Sequence, residues 1–138
     1  MKRTPLKRGT SQLRRTPLRR RTKNPRKTLL LRADSALQDY YRVIWADKPC
    51  EGCRGKMELV HHFILKSNSN RLRFEKINLI PICKICHGTV HGFRSEIMNA
   101  DIIMKRGKDW LEQIRLLERE RINLGIKDLE KIIEKYKI

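Results

Sequence analysis

Two C-x-x-C pairs constrain the fold of this chain more than any other feature: Cys50 and Cys53 in CEGC, and Cys83 and Cys86 in CKIC. Each pair makes a tight turn whose two thiolates can reach one ion, and two such turns complete a tetrahedral zinc site with no open position. A redox-active pair or four free buried cysteines are the alternatives, but two pairs in one small domain favour zinc. We therefore expect a structural zinc that joins two distant parts of the core.

All four histidines lie between or just after these pairs. His61 and His62 follow the run 56–60, which reads as a strand, so their side chains should point to opposite sides. His87 and His91 are four residues apart, and on a helix that spacing lets both chelate one metal ion. Two assignments stay open: the cysteines and histidines together hold two structural zinc ions, or the cysteines hold one zinc while histidines form a catalytic centre.

Positive charge is concentrated at the N-terminus. The chain has 33 Lys and Arg against 15 Asp and Glu, a net charge of +18, and residues 1–32 hold 13 of the basic residues and no acid. This segment has few large apolar residues, so we expect a disordered basic arm. An arm that neutralises nucleic-acid phosphates is favoured over a solvated tail or a nuclear-localisation signal. The expected DNA-binding residues are Lys2, Arg3, Lys7, Arg8, Arg14, Arg15, Arg19, Arg20, Arg21, Arg71 and Arg73.

The remaining residues, 33–138, predict one domain in three parts. A helix over 33–49 starts with a capping box formed by Ser35 and Gln38 and ends at Pro49. The core over 50–93 contains all of the Cys and His residues, a polar loop over 66–73 and a strand over 79–82. Helices follow over 94–138, the first ending at Gly107 and the second at Gly125. The apolar stripes of these helices predict core or dimer packing, and the first stripe consists of Phe93, Ile97 and Met104. A homodimer through these C-terminal helices stays open.

The length and the hydrophobic pattern exclude several classes. A chain of 138 residues is long enough for one domain. No apolar run approaches the roughly 20 residues that a membrane span needs, and no secretory signal is expected. We expect a cytoplasmic protein without a membrane partner.

The stretch from Cys50 to His91 resembles the HNH endonuclease family, whose fold is a small ββα-metal core. The matching pieces occur in the same order: C-x-x-C, the HH pair in LVHHFI, then NLIPIC, then CHGTVH. They cover about a third of the chain. The resemblance implies an α+β fold in which this core is stapled by the structural zinc and flanked by helices.

The same resemblance implies roles for individual residues. His62 would be the general base and Asn78 would hold it in its working orientation. His61, His87 and, one turn further on, His91 would bind a catalytic divalent metal: magnesium, manganese, nickel or zinc. His61 stands where the commoner pattern has Asp, which aligns this chain with the all-histidine metal site of the colicin-type nucleases.

The rest of the chain resembles phage recombination nucleases of the NinG/Rap type. The similar parts are the basic TPLKR-like start, the segment 72–74 and the helical tail. Together the two resemblances imply a metal-dependent endonuclease that hydrolyses DNA phosphodiester bonds, in recombination or on branched or nicked DNA, in the cytoplasm of the phage host. A non-catalytic zinc-containing DNA-binding module and a basic RNA-binding protein of a ribosome-like assembly are the alternatives.

Overall fold

The computed structural model describes residues 24–138, which form five helices and a two-stranded sheet. This mixed composition confirms the α+β prediction. No helix in this part of the chain is long and apolar enough to cross a membrane. The elements are α1 (Pro25–Ile44), β1 (Leu59–His62), a 3₁₀ turn (Lys76–Asn78), β2 (Leu79–Ile82), α2 (Lys84–Val90), α3 (Ser95–Arg106), α4 (Lys108–Arg119) and α5 (Ile126–Lys135).

The first helix begins earlier than predicted. Asn24 is its N-cap, since its side-chain oxygen accepts from the backbone N–H of Arg26 and Lys27 at 3.1 and 3.4 Å, and Pro25 occupies the first turn. The predicted start at Ser35 is therefore wrong, and residues 25–32 belong to a helix rather than to a disordered arm. Leu29 is among the side chains of this first half that pack on the core.

The sheet pairs β1 and β2 antiparallel, with His61 opposite Ile80 and His62 opposite Leu79. The predicted strand over 79–82 is confirmed, whereas β1 starts at residue 59 instead of 56, so both histidines lie inside it. Gln38 of α1 completes the other edge of β1: its amide donates to the carbonyl of Val60 at 2.7 Å and accepts from the Val60 N–H at 3.2 Å. This side chain thus replaces a third strand.

Two apolar clusters cover the two faces of the sheet. Val60 and Leu79 belong to the first, which α1 and α5 form with Leu37, Phe74, Leu129 and others. Ile80 and Ile82 belong to the second, which surrounds the cysteines. Because successive strand residues point to opposite faces, His61 lies on the side of the cysteine cluster and His62 on the side of α1.

The C-terminal helices follow the prediction in part. Gly107, at φ 90°, ends α3 as expected, whereas α4 ends at Arg119 and Gly125 is the N-cap of α5. Phe93, Ile97 and Met104 were expected to pack, but all three are largely exposed. The apolar stripe of α5 instead packs against α1 within the same chain, so that stripe is not available for the homodimer that the sequence left open.

Candidate metal centres

The four cysteines converge on one point. The sulfur atoms of Cys50, Cys53, Cys83 and Cys86 all lie within 4.8 Å of one another, and none forms a disulfide. The Sγ atoms of Cys53 and Cys83 are 3.8 Å apart. Four thiolates at about 2.3 Å from a tetrahedral zinc ion would lie roughly 3.8 Å from each other. The cluster thus has the ligand set and the spacing of a site for a structural metal such as zinc.

Local backbone structure holds these sulfur atoms in place. The first pair lies in a turn closed by the N–H of Cys50 to the carbonyl of Gly55 at 2.7 Å, and Arg54 adopts a positive φ of 62° there. The second pair lies at the start of α2, where Cys83 is the N-cap and its sulfur accepts from the N–H of Cys86 at 3.4 Å. The N–H of Cys83 in turn donates to the sulfur of Cys50 at 3.2 Å.

The electrostatics of the cluster favour an enclosed cation. For Cys50, burial opposes ionisation, but backbone N–H groups including those of Cys53 and Cys83 outweigh it and lower the pKa to about 7. Burial and the neighbouring thiols raise the pKa of Cys86. Four sulfur atoms at this distance cannot all ionise without a positive charge between them, and a bound metal ion provides that charge.

Three histidines form a second cluster beside the first. His61 comes from β1, and His87 and His91 come from the last turns of α2, as the four-residue spacing predicts. One ring nitrogen from each lies within 4.8 Å of the others, so these three side chains could hold a metal ion. Their ring centroids are 4.6 to 5.4 Å apart.

The three-histidine cluster is open, unlike the cysteine cluster. No fourth Cys, His, Asp or Glu joins it among residues 24–138, and residues 1–23 contain none of these types. His61 is buried, and burial together with the neighbouring histidines lowers its pKa to about 4. Burial also lowers the pKa of His87. Neutral imidazole is the form that binds metal, so the lowered pKa values keep His61 and His87 in their ligating state near neutral pH.

His62 lies beside this cluster but faces another partner. Its Nε2 atom is 2.8 Å from the carbonyl oxygen of Arg73. Because a carbonyl can only accept, Nε2 carries the proton and Nδ1 is left as an acceptor. Burial lowers the pKa of His62, which keeps the ring neutral. His61 and His62 therefore point to different neighbours, as expected for adjacent strand residues, while both line one cleft of about 160 Å³.

Asn78 does not touch His62. Its side-chain oxygen accepts from the N–H of Ile64 at 2.7 Å, and its amide donates to the carbonyls of Ile64 at 2.9 Å and Leu72 at 3.1 Å. The fully buried amide is used by the loop backbone, so any orienting effect of Asn78 on His62 acts through that loop. Asn78 instead fixes both ends of the loop that carries the Arg73 carbonyl.

The predicted DNA contacts fall into two groups. The nine in the N-terminal arm, Lys2 to Arg21, lie outside the described residues. Arg73 is nearly buried and pairs with Asp34 through two bonds of 2.9 and 2.6 Å, so it has a structural role rather than the expected one. Arg71 pairs with Glu75 and, at 2.8 Å, with Glu120. Both guanidinium groups are thus already paired with carboxylates, and each has at least one partner distant in the sequence.

Sequence reasoning also missed parts of the cleft. Besides the four histidines, it is lined by Gln38, Val60, Leu65 and Lys66. Gln38 was assigned to a helix cap, and Lys66 was grouped with a polar loop. The ion pair between Lys66 and Asp34, at 3.4 Å, joins elements 32 residues apart and leaves no local signal in the sequence.

The fold and the site define a small α+β protein with a four-cysteine cluster suited to a structural metal and an open three-histidine cluster beside it. The family model described as "Bacteriophage Lambda NinG protein" matches residues 2–138, and the chain belongs to this family. No curated protein and no solved structure matches the chain. The resemblance to the phage NinG type is thus confirmed, whereas that to HNH endonucleases stays a prediction.

Proposed function

We propose that this protein is a metal-dependent endonuclease of the HNH type that hydrolyses DNA phosphodiester bonds in phage recombination. One observation carries the proposal: three histidines converge on one point with no fourth protein ligand among residues 24–138, and His62 lines the same cleft. Closed structural zinc sites have four protein ligands, whereas catalytic sites leave a position open. The phage family and the order strand, strand, helix around the cleft also support it.

In this proposal His61, His87 and His91 would hold a divalent ion, which would supply positive charge to stabilise the negative charge that develops on the phosphodiester during hydrolysis. His62 accepts the proton of the attacking water at Nδ1, because Nε2 is occupied by the Arg73 carbonyl at 2.8 Å. Hydrolysis with the 3′-oxygen as the leaving group leaves a 5′-phosphate and a 3′-hydroxyl. Three imidazoles suit zinc or nickel better than magnesium, which prefers oxygen ligands.

Asn78 acts as a positioning residue through the loop. It fastens Ile64 and Leu72, and Leu72 precedes the residue whose carbonyl orients His62. The ion pair of Arg73 with Asp34 holds the same carbonyl from the side of α1. The tautomer of the base therefore depends on two independent anchors, and the orientation of His62 is set before substrate arrives.

The direct test is incubation of the purified protein with linear, nicked and branched DNA, with and without added zinc, nickel, manganese or magnesium. We expect strand cleavage only with added metal, and ends that DNA ligase can rejoin. The zinc content is measured in each sample, so that loss of the structural metal is not mistaken for loss of the catalytic one. Absence of cleavage with every DNA form and every ion would exclude the nuclease and favour the zinc-containing DNA-binding module.

The N-terminal arm enters this proposal as a DNA-binding segment. Residues 1–23 carry ten Lys or Arg and no acid. Their removal should lower the slope of log affinity against log salt by up to about 9 for duplex DNA. The truncation must stop before Asn24, because the cap and the leucines of α1 belong to the fold. An unchanged slope would show that the arm does not contact DNA.

A further inference from the structure

A polar loop connects the histidine cleft to the surface of α4. Leu65 and Lys66 line the cleft of the histidines. The next residues, 67–70, line a second depression of about 190 Å³, whose other wall is the end of α4 and the segment after it, including Glu118 and Glu120. Asn68 also lines a third, wider depression of about 640 Å³. Two residues along a chain span at most about 7 Å, so Lys66 and Asn68 bring the first and third depressions close together.

The wide depression is positively charged. Three arginines line it, together with Asn68 and a single acid, Glu118. We call Arg115, Arg119 and Arg121 the arginine face. All three are exposed, and none has a carboxylate within 4 Å among the side chains of residues 24–138. Residues 1–23 contain no acid that could pair with them. These charges therefore remain available for a polyanion.

The loop between the two sites is held in a fixed position. Arg73 donates to the carbonyl of Lys66 at 3.3 Å, and Asn70 donates to the carbonyl of Ile122 at 3.3 Å. The buried hydroxyl of Ser69 accepts from the N–H of Leu72 at 3.2 Å. A loop that is already ordered costs little entropy when a ligand binds it. The arginine face and the histidine cleft are thus parts of one preformed surface.

From this arrangement we propose that a nucleic-acid strand whose phosphate lies in the histidine cleft continues over loop 65–70 and sets its backbone phosphates against the arginine face. This inference rests on the proposed function, which places one phosphate of the strand in the histidine cleft. The arginine face then determines where the neighbouring phosphates lie. Arginine suits this role because its planar donor group binds phosphate oxygens in pairs. The strand then follows the surface by charge and carries no sequence preference from these contacts.

The test compares two triple variants of the full chain that each remove three positive charges. One is R115Q/R119Q/R121Q on the arginine face, and the other is K127Q/K131Q/K135Q on α5, whose side chains are exposed and line none of the three depressions. Both variants also carry His62→Gln, so that DNA is not cut. Fluorescence anisotropy with labelled duplex and branched DNA is recorded over a series of salt concentrations.

We expect the arginine-face variant to lower the slope of log affinity against log salt by about 2 to 3, since each lost phosphate contact removes about 0.9. The α5 variant should change it little. Zinc content and thermal unfolding should be unchanged in both, and R115K/R119K/R121K should restore most of the slope. Equal losses in the two glutamine variants, or none on the arginine face, would overturn the inference. Because the assay measures binding alone, the result stands apart from whether the wild-type protein cleaves DNA.

Discussion

The cysteine cluster and the histidine cluster share one short helix but differ in what surrounds their ligands. Cys83 and Cys86 at the start of α2 meet two cysteines from a distant turn, which completes a four-ligand set. His87 and His91 follow on the same helix but meet only His61, and they line a cleft. Three of the four cysteines are buried, whereas His91 is exposed. A closed set can only bind and stabilise, while an open set leaves positions for water and substrate.

The stability of α2 links the two clusters, because the cysteines lie at its start and the histidines at its end. The helix has seven residues, too few to be stable alone, and Val90 at its end contributes one buried apolar contact to the second core cluster. A metal ion held by Cys83 and Cys86 would therefore fix the helix that presents His87 and His91. We infer that the first cluster would then supply the rigidity that the proposed second site needs to keep three imidazoles in place without a fourth ligand.

The largest effect should follow from opening the closed cluster. Cys83→Ser removes one of the four thiolates, while a serine at this position can still cap α2. Binding of a structural zinc is worth about 10–16 kcal/mol in small zinc domains, which is comparable to the whole stability of a domain. We expect loss of zinc and unfolding of residues 50–92, measured by elemental analysis and circular dichroism. A folded variant with its full zinc content would disprove the structural role.

The second effect concerns the base beside the open cluster. His62→Ala should lower the rate of DNA cleavage by about 10²–10⁴-fold, because a general base contributes that much to the rate and little to ground-state binding. His62→Gln serves as a second variant in case the cavity destabilises the fold, since Gln can still donate to the Arg73 carbonyl. Zinc content and DNA affinity should be nearly unchanged. Cleavage at the wild-type rate by both variants would contradict the assignment.

The third effect separates the ligands of the open cluster from the base. His87→Ala should abolish cleavage and weaken the binding of added nickel or zinc. Loss of a residue that only hydrogen-bonds a metal ligand lowers metal affinity by roughly 10- to 100-fold, and loss of the ligand itself should lower it further. Titration calorimetry on zinc-loaded protein measures this binding, with His62→Gln as the control that keeps all three ligands. The fold should survive. If His87→Ala unfolds like Cys83→Ser, the histidines belong to a second structural zinc and not to a catalytic centre.

The difference between the clusters also explains how much the sequence could predict. Ligand spacing is local, so C-x-x-C and the four-residue step from His87 to His91 predicted the groups that the fold assembles. The β2 strand was likewise predicted with its correct limits. Asn24 and Pro25 have the sequence pattern of a helix start, but the high positive charge of residues 1–32 favoured a disordered arm there.

Contacts between distant residues were not predictable in this way. Arg73 carries the pattern of a DNA contact, yet its partner Asp34 is 39 residues away. Nothing local in the sequence indicates that Asn68 lies beside the charged side chains of α4. The role predicted for Asn78 stays a prediction, and its contacts, with backbone groups of Ile64 and Leu72, left no signal in the sequence.

The smallest predicted effect tests how tightly the closed cluster is packed, using two glycines near the same helix. A Cβ atom added to Gly52 would lie 2.7 Å from the sulfur of Cys86 and 3.1 Å from the sulfur of Met98, whereas one added to Gly88 would meet nothing within 4 Å. Gly52→Ala should cost about 1–3 kcal/mol of unfolding free energy through overpacking. Gly88→Ala, in the interior of α2, should add about 0.5–1 kcal/mol.

The unfolding free energies of the two alanine variants are compared by thermal and denaturant unfolding, and the zinc content of each variant is measured. Both substitutions add the same methyl group, but only Gly88 lies in a helix, so the space around the thiolates is reported by the loss of stability of Gly52→Ala relative to the wild-type protein. Gly52→Ala should also lose zinc to a chelator faster than the wild-type protein, because the displaced Cys86 sulfur is one of the four ligands. Equal stability of the two variants would mean that the turn around Gly52 can shift freely. The closed cluster would then not provide the rigidity that the open cluster is inferred to need.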